Sequence, residues 1–393
     1  MAAAGTDADL VARVRSLRPL IREHALRTEQ ERRVAPEVAA ALTDAGIHRM
    51  CVPRRYGGYQ SRLRTQVDAV AEIAAACGST AFKTLIQAGC SYIAALFPDE
   101  AQDEIFTSPD VKVGGTLIPD ATAVRSDGGY VVNGTSAFAT GCHDADWHLL
   151  TVRVESESGD GPPEVLWTAV PMAELEILDD WYVSGLAGSG SDSVVARDVV
   201  VPAHRVLPVG PLLGGEFPSK ANAEDPFYRM PVLLLFCAWT APNALGLARS
   251  ALAEFTERSH RRGITYTFHQ RQNEATVTHL QAAEAAMKLS CAELLTAEFV
   301  ALIESRAESG EPYTPEERAR IRAQSGYVAR LCKEAVDLLG SASGASSLHR
   351  QVPIQRAVRD LHALSLHSFV NPATNLEIYG RVLSGLDPGT PFL

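Results

Sequence analysis

The stretch best suited to chemistry runs from Arg359 to Arg381, where an Arg-Asp pair precedes two histidines, His362 and His367. No glutamate or aspartate lies between Asp360 and Glu377. A histidine can hold an oxygen atom by a hydrogen bond and exchange a proton near neutral pH, whereas a carboxylate would serve there as a base. A histidine near a helix end is also commonly just a favourable cation on the helix dipole, and that alternative stays open here.

Small hydroxyl-bearing residues recur beside glycines in three further segments. Thr140 stands two residues after Phe138 at the end of a predicted strand, and Ser189 and Ser191 lie in a GSGS segment. A third segment, GSASG, spans Gly340 to Gly344. Such residues let a backbone approach a ligand closely. The first two segments are equally ordinary turns, and Phe138 is equally a sheet-core residue.

The motifs of several other cofactor sites are absent from the sequence. GSGS is not a dinucleotide fingerprint, because Ser193 replaces the third glycine and no βαβ unit follows. The seven cysteines are scattered, with no C-x-x-C and no close Cys/His spacing of the kind that holds zinc. We therefore expect no metal site, and reduced thiols in a cytoplasmic protein.

Length and charge exclude several classes of function. A chain of 393 residues exceeds what one hydrophobic core usually organises. Its formal charge of −11 argues against nucleic acid or a membrane surface as the main partner. The N-terminus carries charges throughout, unlike a signal peptide. The apolar run Met230–Ala248 holds two prolines and an asparagine, which favours a buried helix pair over a membrane span.

Three parts follow one another along the chain, and we place them at residues 1–110, 111–207 and 208–393. The first is helical in pattern. The second contains strand-like runs and a hairpin signal in Asp127–Phe138, which predicts an antiparallel sheet or barrel. The third is helical again and predicts a bundle, with an apolar stripe formed by Leu280, Met287, Leu294 and Leu302. The fold class is therefore α+β.

This order of parts resembles the acyl-CoA dehydrogenase fold. The stretches that carry the resemblance are VPRRYGG, FATGCHDADW, GLAGSGSDSVVARDVVVP, GSASGASS and RDLHALSLH. The last four look specifically like the flavin-dependent monooxygenases of two-component systems, the relatives of p-hydroxyphenylacetate hydroxylase. Arg359, Asp360, Ala363, Ser365 and His367 match every fixed position of the R-D-x-x-A-x-S-x-H motif of those enzymes.

The resemblance implies that reduced FAD or FMN meets dioxygen, forms a C4a-hydroperoxide and passes a hydroxyl to an aromatic substrate of phenol or indole type. His367 would hold the peroxide, Thr140 would stand near flavin N5, and Thr116 would lie near substrate and flavin. In many acyl-CoA dehydrogenases a glutamate occupies the position of Ser368, so its absence argues against proton abstraction from an acyl-CoA. The motif places His367 in the site, whereas His362 is expected on a solvated face.

The resemblance also implies roles for the flavin-binding segments. Phe138 would pack against the isoalloxazine, Ser189 and Ser191 would surround the ribityl chain or phosphate, and Gly340 and Ser343 would reach the flavin of a neighbouring subunit.

Two further positions are less clear. Arg261 is a weaker candidate for the flavin phosphate, since an exposed arginine at a helix end is the simpler interpretation. Cys90 stands where several phenol hydroxylases carry a histidine that assists substrate deprotonation. It suggests a substrate that needs less help, such as an indole, although a buried small residue is the simpler interpretation of Cys90 itself.

Partners follow from the same resemblance. Because the chain has no nicotinamide fingerprint, we expect reduced flavin to arrive from a separate NAD(P)H-dependent reductase. The fold implies a homotetramer assembled through the C-terminal bundle. Alternatives are an acyl-CoA dehydrogenase whose base lies elsewhere, a monooxygenase that oxygenates sulfur or nitrogen, and a catalytically silent scaffold.

Overall fold

The computed structural model describes residues 9–155 and 162–393, so the first eight residues of the charged N-terminal stretch lie outside it. The N-terminal part is helical, as expected. Its helices are α1 (Leu10–Ser16), α2 (Arg18–Glu31), α3 (Pro36–Asp44), α4 (Leu63–Ala74), α5 (Gly78–Ala94) and α6 (Asp99–Ile105). All 17 residues of α5 are buried, so this helix forms the centre of the molecule.

The central part is an eight-stranded sheet. Its strands are β1 (Val113–Gly115), β2 (Ala121–Ser126), β3 (Gly129–Ser136), β4 (Trp147–Val154), β5 (Glu164–Pro171), β6 (Glu176–Ile177), β7 (Val194–Pro202) and β8 (Val206–Pro208). They follow the order β6-β7-β3-β2-β4-β5-β8, and β1 pairs with β4. The sheet is mixed, not wholly antiparallel as expected, because β4 runs parallel to both β1 and β2. The β2–β3 hairpin returns the chain to the end of the sheet at which β2 began. The next strand, β4, starts from that end and therefore runs in the same direction as β2.

The hairpin signal in Asp127–Phe138 is confirmed in one half and wrong in the other. Asp127 and Gly128 form the two-residue turn between β2 and β3, with Gly128 at φ +77°. Asn133 and Gly134 lie instead inside β3, where the pairing with β7 shifts register. Gly134 has φ +136°, which favours glycine, so the Asn-Gly pair marks a bulge and not a second turn.

The C-terminal part contains α7 (Val209–Leu213), α8 (Val232–Ser259), α9 (Thr276–Ser309), α10 (Pro315–Ala342), α11 (Pro353–Leu364) and α12 (Pro372–Leu383). The predicted helix pair at Met230–Ala248 is wrong, because a single helix, α8, continues through Pro242. Packing offsets the roughly 3 kcal/mol cost of an internal proline. The helix is apolar and long enough to cross a membrane, but 89% of its apolar 18-residue stretch is buried inside the molecule.

Three of the four residues in the predicted apolar stripe of α9 face away from the bundle, whereas Leu302 packs partly against the core. Leu280, Met287 and Leu294 are 67%, 63% and 70% exposed. The bundle instead contacts a face of α9 that includes Leu289 and Phe299. Helical spacing predicts that such residues share a face, but it does not tell which of two apolar faces the same chain covers.

A comparison of two helical glycines tests this packing. An ideal Cβ at Gly246 of α8 would lie 2.4 Å from the carbonyl oxygen of Ala71 in α4, whereas nothing lies within 4 Å of one at Gly380 of α12. We expect Gly246→Ala to destabilise the chain by about 1–3 kcal/mol. Gly380→Ala should be neutral or stabilise it by up to about 1 kcal/mol. Urea unfolding of the two variants measures both effects, and equal midpoints would contradict the α4–α8 contact.

Candidate active site

Two segments that the sequence singles out separately meet in a chain of hydroxyl groups. Thr140 Oγ1 lies 2.9 Å from Ser191 Oγ, which lies 2.8 Å from Ser189 Oγ. All three side chains are buried. The backbone N–H of Gly141 donates to the carbonyl oxygen of Ser189 at 3.1 Å, which fixes the end of β3 against this loop. We call Thr140, Ser191 and Ser189 the hydroxyl chain.

Phe138 lies beside the hydroxyl chain and is not part of the sheet core. Its backbone has φ +60°, an uncommon conformation for a bulky residue, and its side chain is 57% exposed. The ring meets Trp181 edge to face, with centroids 5.9 Å apart. The two rings therefore form an aromatic wall at the end of β3. Sequence reasoning missed Trp181, because no periodic pattern or motif distinguishes it from other loop residues.

Asp192 holds the backbone of the loop that carries Trp181. Its Oδ1 accepts the backbone N–H groups of Asp180 at 3.0 Å and Trp181 at 2.9 Å. Its Oδ2 lies 2.7 Å from His143 Nε2. Cys142, His143 and Asp192 have ligand atoms within 4.8 Å of one another, as in a metal site. Their contacts instead give the carboxylate a structural role, since both of its oxygens already accept hydrogen bonds.

His367 lies in the turn that follows α11, where its ring is partly buried between two phenylalanines. The ring centroids of Phe82 and Phe369 lie 5.8 and 5.4 Å from that of His367. Burial lowers the pKa of His367 from 6.5 to about 4. The expectation of an imidazole that titrates near neutral pH is therefore wrong, because these apolar surroundings disfavour the charged form.

The hydrogen bond of His367 also indicates which nitrogen carries the proton. Its Nδ1 accepts the backbone N–H of Phe369 at 3.4 Å. In the neutral ring the proton then sits on Nε2, which remains a donor. His362, five residues earlier on α11, is exposed as expected. The two histidines therefore differ in environment, and only His367 combines an apolar setting with an available donor.

The buried helix α5 connects these parts. Phe82, near its start, contacts His367. One turn further on, Gln87 lies against Gly141, where an ideal Cβ would come within 3.0 Å of Gln87 Nε2. Cys90 packs against the end of β1. Eight residues of helix span about 12 Å, so these three contacts follow one another along the length of α5.

Cys90 lies further along α5, against the end of β1 that Thr116 follows. Cys90 is 3% exposed, and burial raises the pKa of its thiol to about 12, so it stays un-ionised. An ideal Cβ at Gly115 would lie 3.0 Å from Cys90 Sγ, and Thr116 follows directly. Thr116 is buried and its Oγ1 accepts the backbone N–H of Ile118 at 3.2 Å. Neither residue has the chemistry of a general base.

The remaining predicted residues form a separate cluster where α8 and α10 end. Gly340 lies in the last turn of α10, and Ser343, the next residue after that helix, donates from Oγ to Leu339 O at 2.8 Å. The guanidinium of Arg262 donates to the carbonyl of Ser343. Arg261 is exposed and pairs with Glu257 at 2.8 Å, so Arg262 is the arginine that contacts the GSASG segment.

A cleft of about 950 Å³ lies between α2, α10 and α11. Of the predicted site residues it is lined only by Gly340. We place the candidate site at His367 and the hydroxyl chain, because these groups, and not the cleft, combine a donor, hydroxyls and an aromatic wall.

Comparison with known proteins decides the family. The model for "Acyl-CoA dehydrogenase, N-terminal domain" matches residues 11–109, and that for "Acyl-CoA dehydrogenase, C-terminal domain" matches residues 238–372. The FADH(2)-dependent resorcinol hydroxylase, oxygenase component, of Rhizobium sp. (strain MTP-10005) is 32% identical over 388 residues, covering 96% of this chain and 95% of the relative. The chain belongs to the acyl-CoA dehydrogenase family. Within it, the chain is a flavin-dependent monooxygenase.

Solved structures of such monooxygenases have the same fold. The crystal structure of 3-HSA hydroxylase from Rhodococcus sp. RHA1 superposes with a TM-score of 0.92 at 30% identity, covering 98% of this chain and 99% of that one. XiaF from Streptomyces sp., in complex with FADH2 and glycerol, also gives a TM-score of 0.92, at 28% identity and 98% coverage of both chains. The expected fold and enzyme class are confirmed.

The residues present fit a reduced flavin. The exposed ring of Phe138, backed by Trp181, offers a surface for a planar heterocycle. The hydroxyl chain beside it offers donors and acceptors for a polar ring edge. When bound, reduced flavin with dioxygen supplies one oxygen atom to the substrate. The protein's contribution is to hold the ring, orient the substrate and keep a neutral donor, His367 Nε2, at the site.

The protonation state of His367 has a measurable effect on stability. Between pH 6.5 and about 4 the unfolded chain binds more protons at this residue than the folded chain does, so stability falls as pH is lowered through that window. We expect the parent to lose about 2 kcal/mol more than His367→Asn between pH 7 and pH 5 in urea unfolding. The control His362→Asn should lose as much as the parent. An equal loss in all three proteins would contradict a neutral imidazole at His367.

Proposed function

We propose that this monooxygenase takes reduced flavin from a separate NAD(P)H-dependent reductase and hydroxylates an aromatic small molecule of phenol or indole type. The observation that carries the proposal is the neutral imidazole of His367, held between aromatic rings beside α5, the helix that also contacts Gly141 next to the hydroxyl chain. A neutral donor can hold an oxygen atom without giving up a full proton.

The surroundings of His367 favour a flat, electron-rich substrate. Phe369 stacks on Phe236 with centroids 5.1 Å apart, and Phe82 closes the other side of the imidazole. Aromatic side chains of this kind pack well against a planar ring. The un-ionised thiol of Cys90 cannot take a phenol proton, which supports a substrate such as an indole, or a phenol that reacts without prior deprotonation at that position.

The acyl-CoA dehydrogenase alternative needs a carboxylate that can reach the α-carbon of a thioester. Ser368 occupies the position where many of those enzymes carry a glutamate, and it is exposed. The nearby acid Asp360 is 2% exposed, and its Oδ1 accepts the backbone N–H of Leu186 at 2.7 Å. A carboxyl buried and bound in this way does not face a substrate, so the arrangement supports oxygen transfer instead.

We further propose a cytoplasmic homotetramer assembled through the C-terminal bundle. The exposed apolar stripe of α9 supplies the apolar area that a contact between subunits needs. Arg262 makes no ion pair among the described residues and lies beside Ser343, which supports a role toward the flavin phosphates of a neighbouring subunit.

The seven cysteines are free, which supports a reducing compartment.

The activity test uses the two histidines as a matched pair. The purified chain is mixed under air with reduced flavin and a panel of phenols and indoles, and products are scored by a mass gain of one oxygen. We expect His367→Asn to lower product formation by about a hundredfold or more, while His362→Asn stays near the parent. A panel in which no compound gains oxygen, or a His367→Asn variant with parental yield, would overturn the proposal. Oxygen added only to sulfur or nitrogen compounds would replace the substrate class.

The assembly test uses two side chains of matched exposure, Leu294 on α9 at 70% and Val124 on the sheet at 69%. Leu294→Glu should shift the particle mass toward dimers or monomers, since a buried, unpaired charge opposes association. Val124→Glu should leave the mass unchanged. Light scattering after size exclusion measures both, and a parental mass for Leu294→Glu would contradict assembly through α9.

A further inference from the structure

Arg359 and Asp360, the first two residues of the motif that contains His367, hold a loop of the central domain against α11. Arg359 Nη1 donates to the carbonyl oxygen of Ser184 at 2.6 Å, and Asp360 Oδ1 accepts the backbone N–H of Leu186 at 2.7 Å. Gly185, between them, lies so close that an ideal Cβ would come within 2.2 Å of Arg359 O. The loop Ser184–Leu186 is therefore pinned to α11 on both sides of Gly185, where no larger residue fits.

The pinned loop leads directly into the hydroxyl chain. Leu186 has φ +55°, a conformation that leucine rarely adopts and that costs on the order of 1–3 kcal/mol unless its surroundings hold it. Its carbonyl oxygen accepts the backbone N–H of Ser189 at 3.0 Å. The position of Leu186 thus determines where Ser189 lies, and through Ser191 it determines the setting of Thr140.

Asp360 also touches the start of α5. An ideal Cβ at Gly78 would lie 3.1 Å from Asp360 Oδ2. This oxygen is buried and has no hydrogen-bond partner among the described residues. The N-terminus of a helix favours a negative charge, although burial still raises the pKa of Asp360 to about 6. One carboxyl group therefore contacts the loop, α5 and, through its own helix, the turn that carries His367.

We propose that Asp360 is a positioning residue that keeps the imidazole of His367 in a fixed relation to the hydroxyl chain. The inference rests on the proposed function. Its consequence is the fate of dioxygen. With the relation intact, one oxygen atom passes to the substrate, the other leaves as water, and the flavin ends in its oxidised form. When the relation is lost, reduced flavin and dioxygen leave as oxidised flavin and hydrogen peroxide. Asp360 touches neither substrate nor flavin in this account.

The first readout needs no flavin. Asp360→Ala removes the acceptor of the Leu186 N–H, whereas Asp360→Asn keeps an oxygen in its place. In hydrogen exchange of the flavin-free chain, we expect the Leu186 amide of Asp360→Ala to exchange about tenfold faster or more, and that of Asp360→Asn to stay near the parent. If Asp360→Ala does not fold, Arg359→Gln, which frees the carbonyl of Ser184, serves instead and should loosen the same loop.

The second readout is the ratio of hydrogen peroxide to hydroxylated product under air with reduced flavin. The ratio should rise several-fold in the variant whose loop exchanges faster, and Asp360→Asn should restore the parental ratio. An unchanged exchange rate, or faster exchange with an unchanged ratio, would overturn the proposal. A parent chain that forms no product at all would contradict the proposed function instead, and the exchange rates alone would then decide whether Asp360 holds the loop.

Discussion

The complete burial of α5 is the constraint on which the rest of the structure depends. A buried helix offers its neighbours side chains at fixed angles and at 1.5 Å per residue, and a packed interior does not let them shift independently. Phe82 therefore sets the place of His367, Gln87 that of Gly141, and Cys90 that of the end of β1. In this way α5 fixes the relative positions of three parts of the chain that are distant in sequence.

Apolar packing around that helix also determines the electrostatics of the site. Burial keeps His367 neutral and Cys90 un-ionised. Lys83 and Asp144, which lie behind Gly141, pair with each other. Asp360 is engaged by the backbone of Leu186. The site thus presents neutral hydrogen-bonding groups in place of an ionised base, which suits the transfer of oxygen better than the removal of a proton from carbon.

Much of the fold and part of the site were predictable from sequence. Local signals succeeded where one backbone conformation decides the structure, as with Asp127-Gly128, and where residue order indicates the family, as with the R-D-x-x-A-x-S-x-H motif. They failed where tertiary packing decides. Asn133-Gly134 became a bulge because β7 pairs along β3, and α8 continued through Pro242 because burial outweighs a lost hydrogen bond. The outward stripe of α9 and the neutral state of His367 depend on neighbours that no local pattern reveals.

The central claim is that a neutral imidazole, and not a carboxylate, faces the reacting side of the flavin. A crystal structure of the chain with reduced flavin, prepared without oxygen, tests this most directly. We expect Nε2 of His367 to lie within direct or single-water hydrogen-bonding reach of the ring, with Thr140 at its edge. A ring bound away from the hydroxyl chain, His367 turned toward solvent, or a carboxylate in its place would contradict the account.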